Sequence, residues 1–191
     1  MENLDFIKYE MLTHIPINTH KEPKSILLIE SNQELKEELN KYKLLKFEKI
    51  VEIKIDQLQN IDEKFDLIII NVPFKVDKTF WIEITKRLNE DGLISTLMSN
   101  LFTESQKAKE ELKIVTPLYN IVMPYRYDTL DNKLTTNYML LLSKLYHPTA
   151  DINLQRAELT DGFKYYNSDI AICSFSLPTF IYKEFLGIIK R

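Results

Sequence analysis

Groups able to bind hydroxyls or orient a hydrogen-bond donor stand where short apolar runs end. Glu30 and Ser31 follow the run ending at Ile29, Asp56 follows Ile50 to Ile55, and Asn71 follows Phe65 to Ile70. An acid at the end of a buried strand can accept hydrogen bonds from ribose hydroxyls, and Asp56 is best placed for that role. A solvated strand-end acid is the plain alternative. An amide such as Asn71 can orient a donor but cannot take its proton near neutral pH. Asp77 is a second acid beyond the same run, and it also reads as the N-cap of a following helix. His14, His20 and His147 lack metal-ligand spacing, so no metal site is expected. Cys173 lies in an apolar stretch and reads as a core residue. Neither a G-x-S-x-G elbow nor a Walker-type loop occurs.

The chain that must position these groups has 191 residues, 45% of them hydrophobic and 28% charged. That composition fits one globular domain and excludes a disordered chain. Lys+Arg total 25 and Asp+Glu 28, a net charge of −3. No basic excess is available to neutralise a nucleic-acid backbone. No apolar run is long enough to span a bilayer. The acidic N-terminus carries no signal-peptide pattern, and a single cysteine excludes internal disulfides, so the cytoplasm is the expected compartment. The glycines are three, Gly92, Gly162 and Gly187. Nucleotide-binding loops need glycine where backbone approaches a ligand, and the first 91 residues have none.

Apolar runs and 3–4 spacings alternate along the chain. Strands are expected over 25–29, 47–56, 65–70, 93–98, 114–123 and 137–145. Helices are expected over 33–43, 77–88, 104–112 and 179–190. Asn32 reads as an N-cap, Asn89 to Gly92 as a helix stop and turn, and Asp128 to Lys133 as a polar loop. This alternation predicts an α/β fold: an open, mostly parallel sheet with an antiparallel edge and helices on both faces. Ligands of such sheets bind outside the carboxyl ends of the strands.

Asp5-Phe-Ile-Lys-Tyr-Glu-Met-Leu-Thr-His-Ile-Pro16 resembles the E-F-x-Y-H-E-M-L-x-H-x-P entry segment of spermidine synthases, the polyamine aminopropyltransferases. His20-x-x-Pro23-Lys-Ser-Ile-Leu-Leu-Ile29 resembles the family's lead into its first strand. Phe65-Asp-Leu-Ile-Ile-Ile-Asn71 resembles Y-D-V-I-I-x-D, and Lys86 to Leu93 resembles L-K-x-D-G-x. Lys164-Tyr-Tyr-Asn-Ser-Asp-Ile170 and Ser174-Phe-Ser-Leu-Pro178 resemble the closing Y-Y-N-x-D-x-H-x-A-A-F-x-L-P. The matches keep the family's order from residue 5 to about residue 180.

This resemblance implies a Rossmann-like sheet of the S-adenosylmethionine-methyltransferase type. It implies transfer of an aminopropyl group from decarboxylated S-adenosylmethionine, as co-substrate, to a diamine such as putrescine. Glu30, Ser31 and Asp56 fall where the family binds that co-substrate. Lys8 and Tyr9 stand at the family's Tyr-His pair in the substrate pocket, and Tyr125 or Tyr127 at a further pocket tyrosine. Asn71 takes the place of the family's general base, with Asp77 as a replacement only if its loop folds back.

Two departures carry weight. The glycine loop is replaced by Glu30-Ser-Asn-Gln-Glu34, where any positive φ becomes costly and Glu30 and Gln33 project into space the glycines leave free. The base is an amide. The alternative is therefore a catalytically inactive descendant that binds a protein or another small ligand. The resemblance also implies a homodimer. With four residues ahead of Asp5, the family's small N-terminal β domain is expected to be absent. Only one strand fits between the first helix and residue 65, which predicts about six strands and the loss of one strand–helix unit beside the adenine.

Overall fold

The computed structural model describes residues 4–130 and 134–191. Six strands form one sheet: β1 (Ser25–Ile29), β2 (Lys49–Ile53), β3 (Phe65–Ile70), β4 (Leu88–Met98), β5 (Ile121–Leu130) and β6 (Leu134–Ser143). Their order is β2-β1-β3-β4-β6-β5. The first four are mutually parallel, and β6 runs antiparallel to both β4 and β5. One strand, β2, lies between the first helix after β1 and β3, as the short apolar content there requires.

Alternate strand residues face two separate cores, because side chains along a strand point to opposite sides. Ile26, Leu28, Leu67 and Ile69 pack against α1 (Phe6–Thr19), α2 (Gln33–Asn40), α5 (Leu154–Leu159) and α6 (Ser168–Ser174). Leu27, Ile29, Ile68 and Ile70 pack against α3 (Lys78–Lys86), α4 (Ser105–Val115) and α7 (Thr179–Glu184). Both faces of β3 are thus buried, which explains its unbroken apolar run. No described helix is long and apolar enough to cross a membrane.

Several boundaries differ from the sequence expectation. Asn89 to Gly92 belong to β4 rather than ending a helix. The β3–β4 register jumps from Phe65↔Leu88 to Leu67↔Leu93, so a bulge absorbs the extra residues. Asn89 Nδ2 donates to Asp66 Oδ1 at 2.7 Å inside it. A Cβ on Gly92 would sit 2.7 Å from the Leu88 side chain and 3.1 Å from the Asp66 carbonyl, so the bulge needs glycine. Ile114 lies in α4, whose buried Ala108, Glu111, Leu112 and Val115 keep helical spacing, and the strand begins only at Ile121. Helix α2 stops at Asn40, where Lys41 caps it. The last helix stops at Glu184, because Gly187 takes φ +77° and turns the chain so that Lys190 pairs with Val122 on β5. Residues Asp128 to Leu130 continue β5, while 131–133 of the expected loop lie outside the described residues. Cys173 is exposed on α6 rather than buried, since the core side of that helix is taken by Ala171 and Ser174.

At the amino ends of the parallel strands, Asp66 Oδ2 accepts from Lys24 N, Ser25 N and Ser25 Oγ within 2.9 Å. His20 and Asp91 lie beside it, with His20 Nε2 3.7 Å from Asp91 Oδ2. His20 Nδ1 accepts the Glu22 N–H, which leaves the ring proton on Nε2 toward Asp91. This group fastens β1, β3 and β4, and it brings one ligand atom each of His20, Asp66 and Asp91 within 4.8 Å of one another, with His20 Nε2 lacking a hydrogen-bond partner.

Candidate functional site

The carboxyl ends of β1 and β3 bring Glu30 and Asn71 together. Parallel pairing aligns Ile29 with Ile70, so the next residue of each strand emerges at one tip. Asn71 N donates to Ile29 O at 3.0 Å, and its Nδ2 donates to Glu30 O at 3.2 Å. The opposite amide orientation would set two oxygens against each other, so the hydrogen bond fixes the amide. Its Oδ1 is then a buried acceptor with no protein donor.

Glu30 has φ +57°, the only positive φ of a non-glycine among the described residues. The backbone therefore makes a left-handed turn here without a glycine. Its side chain reaches across to the end of β2, where Oε1 accepts from Ile55 N at 3.0 Å and Oε2 from Lys54 Nζ at 3.0 Å. The Ile55 N–H and the Lys54 ammonium hold its carboxyl below the usual range. Strain at a strand tip in an α/β sheet is the kind that functional sites retain. Gln33 is exposed on α2 and donates to Glu37 at 3.2 Å.

The remaining expected residues are placed as follows. Ser31 Oγ donates to Glu52 at 2.8 Å, and Glu52 pairs with Lys36. Asp56 is exposed in a 3₁₀ turn over Ile55–Asn60, beyond β2 rather than at its last residue. Asp77 caps α3, its Oδ1 accepting from Thr79 N at 2.9 Å. Asn32 caps α2 through Leu35 N, and its Nδ2 donates to Tyr9 OH at 2.7 Å. That bond ties the entry segment to the loop after β1. The Lys8 ammonium lies 5.2 Å from the Tyr9 ring centroid, and burial lowers the Lys8 pKa against the opposing pull of Asp5.

Tyr125 is fully buried, bonded to Ser95 Oγ at 2.6 Å and donating to Met11 O at 3.3 Å. It is a core residue. Tyr127, two residues along the same face of β5, lines a cavity of about 210 Å³ at the ends of β3 and β4, with Phe74, Met98, Ser99 and Tyr138. Burial pushes the Tyr127 phenol up to about 12. Of the two tyrosines, only Tyr127 faces open space.

The entry and closing segments meet under the sheet. Glu10, fully buried on α1, accepts from Lys164 N at Oε1 and from Tyr165 N and Tyr166 N at Oε2, each at 2.8 Å. Next to it, His14 Nε2 lies 2.8 Å from Glu38 Oε2, and His14 Nδ1 lies 3.0 Å from Tyr42 OH. Asn18 Nδ2 donates to Tyr42 OH at 2.9 Å, and Lys41 pairs with Glu38. All these roles fit a neutral His14 that accepts from Tyr42 and donates to Glu38. Sequence reasoning missed this network, as it missed buried Glu111, because a polar residue on a helix usually reads as solvated.

No family model matches the chain. It is 24% identical over 221 residues to a polyamine aminopropyltransferase of Clostridium beijerinckii, covering 94% of this chain and 78% of that protein. It is 28% identical over 217 residues to one of Helicobacter pylori strain G27, covering 99% and 80%. The spermidine synthase of Thermotoga maritima superposes with a TM-score of 0.79 at 20% identity, over 94% of this chain and 74% of that one. A second spermidine synthase structure, in complex with the transition-state analogue AdoDATO, gives a TM-score of 0.79 over 94% and 75%. The sheet is thus the spermidine-synthase sheet, and the sequence likeness runs through both the entry and the closing segments. The chain is thus similar in sequence to polyamine aminopropyltransferases and shares the fold of spermidine synthases.

Proposed function

We propose that the chain transfers the aminopropyl group of decarboxylated S-adenosylmethionine to an amine such as putrescine, with Asn71 orienting the amine instead of deprotonating it. The supporting observation is Asn71 Oδ1, a buried acceptor without a protein donor at the tip of the central strand. Buried acceptors are rarely left unpaired, and an amine N–H would complete this one.

In that reaction the amine lone pair attacks the methylene carbon attached to the sulfonium. The C–S bond breaks, and its electrons neutralise sulfur to give methylthioadenosine. The new C–N bond leaves a proton on nitrogen. A carboxylate would take that proton, but an amide has no such basicity. The proton therefore passes to water, and only the unprotonated fraction of the amine reacts. Glu30, with its oxygens fixed at the ends of β1 and β2, is the acid positioned to accept the ribose hydroxyls. Tyr127 lines the acceptor side.

Calorimetric titration with decarboxylated S-adenosylmethionine and with methylthioadenosine tests this reading. Binding of either tighter than about 100 μM supports it. No heat from either ligand at millimolar concentration would leave the inactive descendant as the better description.

A further inference from the structure

We infer that His20, Asp66 and Asp91 bind one divalent transition-metal ion, with zinc the best match, at the end of the sheet opposite the Asn71 tip. This site is independent of aminopropyl transfer. One ligand atom of each residue lies within 4.8 Å of the other two. His20 follows α1, Asp66 lies in β3 and Asp91 in the β4 bulge, so no spacing motif marks them in the sequence. His20 is 3% exposed, and its Nε2 is a buried ring nitrogen without a hydrogen-bond partner, directed at Asp91 Oδ2 3.7 Å away. Buried polar atoms are rarely left unpaired. The separation is too long for a hydrogen bond but near that of two ligands on one ion. Zinc bonds of about 2.0–2.2 Å set tetrahedral ligands roughly 3.3–3.6 Å apart.

The surroundings hold the ligands in place. Asp66 Oδ2 takes the bonds from Lys24 N, Ser25 N and Ser25 Oγ. Its Oδ1 accepts only from Asn89 Nδ2, which leaves a lone pair on that oxygen. Tyr146 OH donates to Asp91 Oδ2 at 3.4 Å, and its ring stands edge-on to His20 with centroids 4.9 Å apart. Such outer bonds orient ligating carboxylates. Among the described residues neither acid forms an ion pair with a lysine or arginine. One imidazole and two carboxylates suit zinc better than calcium or magnesium, which take oxygen ligands. Water completes the coordination on the side of Asp91, whose side chain is half-exposed. Ligation uses the other neutral tautomer of His20: the ring proton moves from Nε2 to Nδ1, and the bond from Glu22 N, on an exposed turn, opens. The bound ion ties the end of α1 to β3 and β4, which is a structural role.

The test is calorimetric titration of the chelator-treated full chain with zinc chloride alone, with thermal melts in the same buffers. The wild type should bind one ion with a Kd below about 10 μM, and its melting temperature should rise with zinc. His20→Gln and Asp91→Asn should each weaken binding about tenfold or more and remove the thermal shift. His147→Gln, which changes a histidine outside the group, should bind as the wild type does. Melts without zinc check that each variant folds, and Asn is isosteric with the half-exposed Asp91. No binding by the wild type at millimolar zinc, or wild-type affinity in both His20→Gln and Asp91→Asn, would overturn the assignment.

Discussion

Glu10 on the first helix holds Tyr165 and Tyr166 of the closing segment, its Oε2 accepting both backbone N–H groups at 2.8 Å. The two segments that carry the strongest family likeness are therefore one structural unit, 155 and 156 residues apart in sequence. A carboxylate bonded to three N–H groups in a dry interior compensates its own desolvation through those bonds.

Replacing Glu10 with Ala should leave three buried N–H groups unsatisfied. We expect a loss of about 3 kcal/mol or more, since each such group costs roughly 1–3 kcal/mol. Glu10→Gln should lose less, because its amide oxygen still accepts. Urea denaturation of both variants checks the order; equal stability of Glu10→Ala and wild type would contradict it.

Acid should weaken the fold through His14. Burial lowers its pKa below 6.5, against the raising influence of Glu38. The unfolded chain thus binds this proton more readily than the native one. Its contribution to stability is complete above pH 6.5 and declines as pH falls below that value. Glu38, whose pKa is lowered from 4.5 by its bonds to His14 and Lys41 despite its burial, adds a further loss below pH 4.5. Melting temperatures should fall from pH 7 to pH 5, and His14→Gln should flatten that slope. An unchanged slope in the variant would assign the acid sensitivity elsewhere.

Glu30→Gly should relieve the backbone at φ +57° and also remove the acceptor of Ile55 N–H. If the carboxylate binds ribose hydroxyls, methylthioadenosine affinity should fall about tenfold. Tighter binding in the variant would show instead that the side chain obstructs the cleft.

Restoring an acid at the β3 tip should accelerate the reaction. A positioned general base contributes typically about 10²–10⁴-fold, so Asn71→Asp should raise kcat near neutral pH by an amount in that range. An unchanged kcat would mean that proton removal does not limit the rate.

Much of the sheet was legible because its strands are buried on both faces. The run Leu67 to Ile70 reads as a strand from composition alone, and its neighbours follow from the alternation. The site was less legible. Nothing local marks Glu30 as left-handed, since glycine is the usual signal for that conformation. Helix α1 was hidden because buried Glu10, Thr13, His14 and Asn18 interrupt any apolar stripe. Glu10, His14 and Asn18 find their side-chain partners in the closing segment, in α2 and in Tyr42 just after it, all more than 20 residues away, while the Thr13 hydroxyl has none among the described residues. The bulge at Asn89 to Gly92 was likewise mistaken for a turn, because Asn-Glu-Asp-Gly has turn composition and its strand pairing is non-local. Glu111 looked like a solvated helix position because Ser99, which buries it, lies 12 residues back.

The pH dependence of kcat/KM tests the central claim most directly. It is measured as methylthioadenosine released from decarboxylated S-adenosylmethionine and putrescine, between pH 6.5 and 9.5. With Asn71 orienting an amine it cannot deprotonate, the rate should rise about tenfold per pH unit toward the amine's own pKa, about 10.4 for a lysine-like ammonium. Asn71→Asp should flatten that rise. A wild-type profile already level at neutral pH, or no methylthioadenosine above the uncatalysed background at any pH, would contradict the account.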